Sequence, residues 1–370
     1  MKIEFLRYSK RLLLAIITTT VLFTSCKKDK NEPDTLEPVI ESTAGVYVLC
    51  EGTYGNGNGD ISFYNFKTNT AEKSYYKKVN GSNLGETPND LQRYGSKMYC
   101  VVSGTSSQPQ SFVDVMDVNT CKSIKRIPFN STTGGYEPRS IAFYKNKAYV
   151  SRYDGKVSRI DTATLNVDAE LNLEVNYLEG VATANGKLYV ANSDYLYTGN
   201  VNKISVIDLA TFKKTKDITV SLNPGKVVAA PNGDIYVICY GNYYTKVAGA
   251  LDRISSITDT KVQTTPGYGY GSALSFTSDK GIISTETSVI RQLDVATGTA
   301  GANFITDGTS FTYLYGVTID PFSNMVVAGD GVSYTSGKAF IFGSNGKKLH
   351  DFETGVYPKA SVFVYSYKKQ

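Results

Sequence analysis

The sequence predicts an all-β fold: a seven-bladed β-propeller of four-stranded blades, closed by N- and C-terminal strands that share one blade. Three observations predict it. The first is a degenerate repeat from about residue 45 onward, marked by aspartate followed three residues later by threonine at the end of an alternating strand. It reads Asp117–Thr120, Asp161–Thr164, Asp208–Thr211 and Asp294–Thr297, with a softer copy at Asn65–Thr68 and degenerate copies starting at Ser255 and Gly343. The starts are 52, 44, 47, 47, 39 and 49 residues apart, and a period of roughly 40–50 residues of short strands is that of a propeller blade. The second is strand alternation broken by Asn, Gly and Asp turns, with almost no helical apolar periodicity beyond residue 25. The third is a pair of incomplete units at the two ends, which together make one blade.

Each segment has its own reading. Residues 1–25 form an export signal: basic residues through Arg11 precede an apolar run from Leu12 to Phe23 that is too short to span a bilayer. The run ends Leu22-Phe23-Thr24-Ser25-Cys26, similar to a bacterial lipobox with Phe23 where leucine is usual. Cleavage before Cys26 and lipidation of its sulfur are expected, which would tether the chain to a membrane leaflet. Residues 26–44 are charged and contain proline, as a flexible tether does.

The propeller is expected over 45–370. Gly45–Leu49 reads as a second strand with no first strand before it, and 356–364 reads as a first strand with nothing after it. Between them, blades are expected at about 87–129, 137–173, 178–220, 223–265, 271–305 and 314–353. Each opens with an inner strand, often beginning with proline. A turn of Asn, Gly or Lys follows, and then a second strand such as Ala148-Tyr-Val150, Leu188-Tyr-Val190 or Ile235-Tyr-Val237. The third strand ends at the Asp-x-x-Thr element. Its aspartate can accept backbone N–H groups and its threonine adds a local bond, so the element is read as turn chemistry. Shared closure leaves no exposed sheet edge.

Composition narrows the function. The net charge is +5, and the first 25 residues carry Lys2, Arg7, Lys10 and Arg11 against Glu4, leaving +2 for the rest. That balance does not point to a nucleic acid or another polyanion. Beyond Cys26 the cysteines are Cys50, Cys100, Cys121 and Cys239. Three lie in strand patterns of different blades and none has metal-like spacing, so they read as small core residues. A Cys100–Cys121 disulfide is permitted but not demanded.

Catalytic sets do not assemble from this sequence. The one histidine, His350, falls in the outer part of the last blade, with no serine–aspartate pair to join it. No cofactor serves as a catalyst and no metal site is expected. A calcium-dependent lactonase would draw on Glu137, Glu179, Asp194, Asp307 and Asp330, which are scattered without a repeating ligand motif. Binding is better supported. Of 28 tyrosines, 15 fall in the loops joining strands two to three and strand four to the next blade, which share one face. Glycine and asparagine surround them, as in Gly241-Asn-Tyr-Tyr and Gly267-Tyr-Gly-Tyr-Gly. Tyrosine offers a flat apolar ring with a polar tip, and glycine and asparagine offer adaptable polar backbone; together they make a binding surface. The ligand-binding candidates are Tyr54, Tyr153, Tyr195, Tyr197, Tyr243, Tyr244, Tyr268, Tyr270, Tyr313 and Tyr315. Some of the face's rings are expected to plug the channel or pack between blades instead.

The lipobox, the start Gly45-Val-Tyr-Val-Leu-Cys-Glu-Gly-Thr-Tyr-Gly-Asn-Gly-Asn-Gly59 and the tyrosine-rich repeat resemble the YncE-like seven-bladed surface lipoproteins of Bacteroidota, nearest to the BtuG-type cobalamin-binding lipoproteins. The resemblance implies an outer-membrane, lipid-anchored protein facing the cell exterior. It would bind cobalamin (vitamin B12) or a related corrinoid and deliver it to a TonB-dependent transporter of the BtuB type. The alternatives are a glycan- or protein-binding surface propeller and, third, a lactonase-like enzyme.

Overall fold

The computed structural model describes residues 39–194 and 196–368. The expected signal peptide, Cys26, most of the expected tether and Tyr195 lie outside the described residues. Within them the chain forms seven four-stranded antiparallel sheets. In chain order, the inner strands of blades 1 to 6 are Pro88–Tyr94, Pro138–Tyr144, Leu178–Ala184, Pro224–Ala229, Leu274–Phe276 and Leu314–Ile319. Blade 7 is the shared one. Its inner strand, Pro358–Tyr367, pairs with the first strand of the chain, Ile40–Cys50, in the register Tyr47↔Val362. That first strand begins at Ile40, so residues 40–44, read from the sequence as tether, are strand; the long closing strand supplies them with backbone partners as far as Ile40↔Tyr367.

The core explains why the ring holds. Buried apolar residues gather into seven clusters, one between each pair of neighbouring blades, including the pair that joins blade 7 to blade 1. Alternation in the second strands makes this possible. In Ile40–Cys50, Tyr47 and Leu49 point toward blade 1, while Val46, Val48 and Cys50 point toward blade 6. Successive side chains of a strand face opposite sides, so one strand serves two interfaces. The recurring tyrosine of the second strand, Tyr47, Tyr99, Tyr149, Tyr189 and Tyr236, is at most 2% exposed in every copy. It always packs toward the following blade. Each such ring removes roughly 150–250 Å² from water. Blades 5 and 6 place Ile282 and Val327 at that register, and blade 5 has the shortest strands.

Cys50, Cys100, Cys121 and Cys239 are buried free thiols, and burial pushes the Cys100 and Cys239 thiols well up. His350 packs 5.2 Å from the Tyr64 ring, on the outside of the blade 6–7 interface. One element has no counterpart in the sequence reading, a short helix at Tyr75–Asn80 between blades 7 and 1. It buries Tyr76, whose hydroxyl donates to Asp114 (2.6 Å), and Arg126 also donates to Asp114 (3.1 Å). The helix thus adds a polar lock beside the closure.

Candidate functional site

The Asp-x-x-Thr elements are closed turns. Asp117 Oδ1 accepts from the Asn119 N–H, the Thr120 N–H and the Thr120 hydroxyl at 3.0, 2.9 and 2.9 Å. Asp161, Asp208 and Asp294 repeat the bond to the threonine N–H at 2.8, 2.8 and 2.7 Å. Four residues after the aspartate the backbone turns left-handed, at Cys121, Leu165, Phe212 and Gly298. In each element Oδ1 is taken up by its own turn, and Asp161 Oδ2 accepts Lys147 Nζ as well at 2.8 Å.

The opposite face is built differently. The residue before the inner strand takes positive φ at Thr87, Glu137, Tyr177, Asn223 and Tyr357. The pairing register then slips at the next positions in six of the seven inner strands. Such a bulge re-aims a side chain. Here it turns Asn89, Arg139, Glu179, Tyr315 and Lys359 into the lining of the central channel. Because the geometry recurs around the ring, it belongs to the blade, and what varies is the side chain each blade presents.

The channel cavity is about 800 Å³, and charged side chains form a belt in its lining, the neck. Lys359 Nζ contacts Glu51 Oε2 at 2.9 Å and Asn89 Oδ1 at 3.0 Å, and the Tyr315 hydroxyl donates to the same Glu51 oxygen at 2.7 Å. Burial opposes the Glu51 charge, but Lys359, Tyr315 and Arg139 together hold its carboxyl below the usual value. Across the neck, Arg139 Nε meets Glu179 Oε2 at 3.3 Å, and the Tyr153 hydroxyl donates to Glu179 Oε1 at 2.5 Å. The Arg139 guanidinium lies 4.6 Å from the Tyr153 ring centre. Burial works against the Arg139 charge; Glu179, Tyr153 and Glu51 outweigh it and push its pKa up. Lys226 Nζ donates to the Ser272 carbonyl at 2.6 Å. Burial, then Lys359, pushes its ammonium down to about 8, against the opposing pull of Glu51 and Glu179.

Tyrosines surround this neck in three groups. Tyr197, Tyr244 and Tyr243 form edge-to-face pairs with centroids 5.8 Å apart. Tyr240 and Tyr270 meet at 5.3 Å. Tyr313, Tyr315, Tyr357 and Tyr334 form a chain with spacings of 5.7, 5.0 and 6.2 Å. The outermost rings, Tyr54, Tyr243, Tyr244 and Tyr334, are 73–76% exposed. Their loops are braced from below. Asn242 Oδ1 accepts the Tyr244 and Thr245 N–H groups, and Glu86 accepts the Gly55 and Gly57 N–H groups beside Tyr54.

Of the predicted ligand residues, Tyr54, Tyr243, Tyr244, Tyr270 and Tyr313 present open rings, and Tyr197 is half-buried beside Tyr244. Tyr315 lies in an inner strand and belongs to the neck. Tyr153 is 8% exposed and supports Glu179 from below, while Tyr268 is 5% exposed and packs in the blade 4–5 core. The loop Gly267–Gly271 turns one tyrosine in and the next out. Reading the sequence missed Glu51, Arg139, Lys226 and Lys359; the signal was a polar residue just after the first residue of the inner strand, as in Pro138-Arg139 and Pro358-Lys359. Four of the five carboxylates that a calcium site would draw on are engaged separately. Glu179 faces Arg139, Asp194 accepts the Gly199 N–H, Asp330 accepts the Tyr313 N–H, and Asp307 accepts the Lys348 N–H. Among the described residues no group of three His, Cys, Asp or Glu converges.

A family model described as a domain of unknown function (DUF5074) matches residues 44–364. No curated protein matches the chain. Among solved structures, it is similar to a quinonprotein alcohol dehydrogenase-like protein from Bacteroides thetaiotaomicron VPI-5482, with TM-score 0.64 and 16% identity over 87% of this chain and 78% of that one. It is also similar to hydrazine synthase of Kuenenia stuttgartiensis, with TM-score 0.53 and 16% identity over 69% and 76%. A computationally designed protein, Ika8, gives 0.52 and 13% over 85% and 89%. Likeness at such identities is likeness of fold.

Proposed function

We propose that this chain, which belongs to the DUF5074 family, is an outer-membrane lipoprotein that binds a corrinoid such as cobalamin on its tyrosine face and hands it to a TonB-dependent transporter. One observation carries the reading: open, loop-braced tyrosine rings arranged about the mouth of the channel. A corrinoid is a broad macrocycle with an amide fringe. Flat rings can cover its apolar face, and phenol hydroxyls can bond its amides. The rings are already positioned, so little ordering entropy opposes binding. The anchor in this reading is Cys26, supported by the lipobox-like sequence before it, and the cell exterior is the side on which a capture protein would meet its ligand. The role is binding rather than catalysis.

Calorimetric titration of the purified chain with cyanocobalamin tests this. One-to-one binding is expected. Changing both Tyr243 and Tyr244 to Ala should weaken it about 30- to 100-fold, the loss of a hot-spot pair worth roughly 2–3 kcal/mol. Because both rings are exposed, the variant should keep its melting temperature. No heat and no comigration at micromolar concentration would remove the corrinoid reading, and the same surface would then be assigned to a glycan or a protein.

A further inference from the structure

The channel neck holds three cations, Arg139, Lys226 and Lys359, and two carboxylates, Glu51 and Glu179. Each carboxylate already has its own cation and its own phenol donor. Asp90 and Arg93 also line the channel; Asp90 accepts bonds from Ser140, the Ile141 N–H and Gln92, and Arg93 donates to the Gly95 and Phe363 carbonyls and the Tyr367 hydroxyl. Lys226 is the remainder: among the described residues its ammonium has one hydrogen-bond partner, the Ser272 carbonyl, and no carboxylate partner. Beside it the ring of Tyr240 lies directly over Gly225, where even a methyl group would meet the ring at 2.0 Å. Blade 4 therefore presents Tyr240 where blades 1, 2, 3 and 7 present Asn89, Arg139, Glu179 and Lys359. Tyr270 packs edge-to-face on Tyr240. Neither hydroxyl has a hydrogen-bond partner among the described residues, and both line the cavity.

We infer that Lys226, Tyr240 and Tyr270 form a subsite for a single oxyanion, the carboxylate or phosphodiester of a small ligand whose end enters the channel mouth. One ammonium without a carboxylate partner and two free hydroxyl donors match one monoanionic group in charge and in hydrogen bonding. Tyr270 and Tyr313 belong both to the cavity lining and to the exposed rings, so a ligand lying across the outer rings can reach the neck. The subsite also has a pH signature. Its cation is weakened by burial and by Lys359, with Glu51 and Glu179 pulling the other way. An anion beside it would favour the charged form and raise the lysine midpoint from about 8. Anion affinity should then hold steady below that midpoint and fall as the pH rises through it. The inference stands apart from the corrinoid reading, because an oxyanion can bind here when cyanocobalamin gives no heat, and the reverse.

The test is lysine-selective 13Cε NMR of the purified chain. The Lys226 signal is the one lost in Lys226→Met, and Lys226→Arg gives the same assignment should Lys226→Met fail to fold. Acetate and dimethyl phosphate are titrated separately at fixed ionic strength, with chloride as the control. Expected is a saturable shift of this signal at millimolar concentration, with its titration midpoint rising by about half a unit or more. A stronger response to acetate assigns a carboxylate ligand, and a stronger response to dimethyl phosphate assigns a phosphodiester. A response no larger than that to chloride from both anions overturns the subsite.

Discussion

The two faces of this ring carry similar numbers of loops and opposite chemistry. On the turn face, each aspartate of the repeat spends its carboxylate on the N–H groups of its own turn. On the tyrosine face, bulged inner strands point side chains into a shared channel, and braced loops hold rings open to solvent. A carboxylate oxygen held by the N–H groups of its own turn serves that turn first. A group held in place by its neighbours, but not satisfied by them, can meet a ligand. Residue type alone does not separate the two cases, since Asp161 and Glu179 are both partnered carboxylates, one within a hairpin and one across blades.

The largest effect expected from this contrast is at the neck. Arg139→Ala leaves Glu179 facing a channel without its cation and removes the donor to Ser103 (3.2 Å). Breaking a largely buried pair by one partner costs about 3–5 kcal/mol in general. A loss of about 3 kcal/mol in urea unfolding is expected here, since the channel admits water to the stranded carboxylate. A loss below about 1 kcal/mol would mean that the neck charges are as weakly coupled as surface pairs, and the contrast between the faces would collapse to one of shape.

Lys226 sharpens the same comparison with the opposite sign. Its folded-state midpoint is near 8, below the ordinary lysine value of 10.5. Between those values the unfolded chain binds a proton that the folded chain releases, so wild-type stability rises with pH across that window. Below pH 8 the full penalty of the buried cation is present. Lys226→Met should therefore be the more stable protein at pH 7, by on the order of 2 kcal/mol, with the difference shrinking as the pH climbs toward 10. A variant less stable than wild type at pH 7 would show that the ammonium is well compensated.

Much of this architecture was legible in the sequence, because a propeller repeats its instructions. The Asp-x-x-Thr elements and the tyrosines of the second strands recur at nearly fixed spacing, so the blade boundaries and the closing strand could be read directly. The tyrosine face followed from counting loops. The neck could not be seen that way. Glu51, Arg139, Glu179, Lys226 and Lys359 come from four blades; bulges turn Arg139, Glu179 and Lys359 inward, and a bulge is a property of pairing rather than of composition. Tyr268 and Tyr270 show the same limit at closer range: both sit between glycines, and only the packing of blades 4 and 5 buries one and exposes the other. The helix at Tyr75–Asn80 escaped because six residues with one buried ring carry no readable period.

The smallest expected effect belongs to the turn face. Asp117→Ala removes an acceptor that serves two N–H groups and a hydroxyl, all near water that can replace it. The cost should be about 1 kcal/mol in urea unfolding, with ligand titration unchanged. Asp117→Asn is the finer probe. In blade 7 the equivalent position is already Asn65, whose Oδ1 accepts the Lys67 and Thr68 N–H groups at 2.9 and 3.2 Å. If the element works by local hydrogen bonding, Asn at 117 should restore most of the stability lost in Asp117→Ala. If it works by negative charge, Asn should behave like Ala, and the turn face would then hold an electrostatic role that its closed hydrogen bonds conceal.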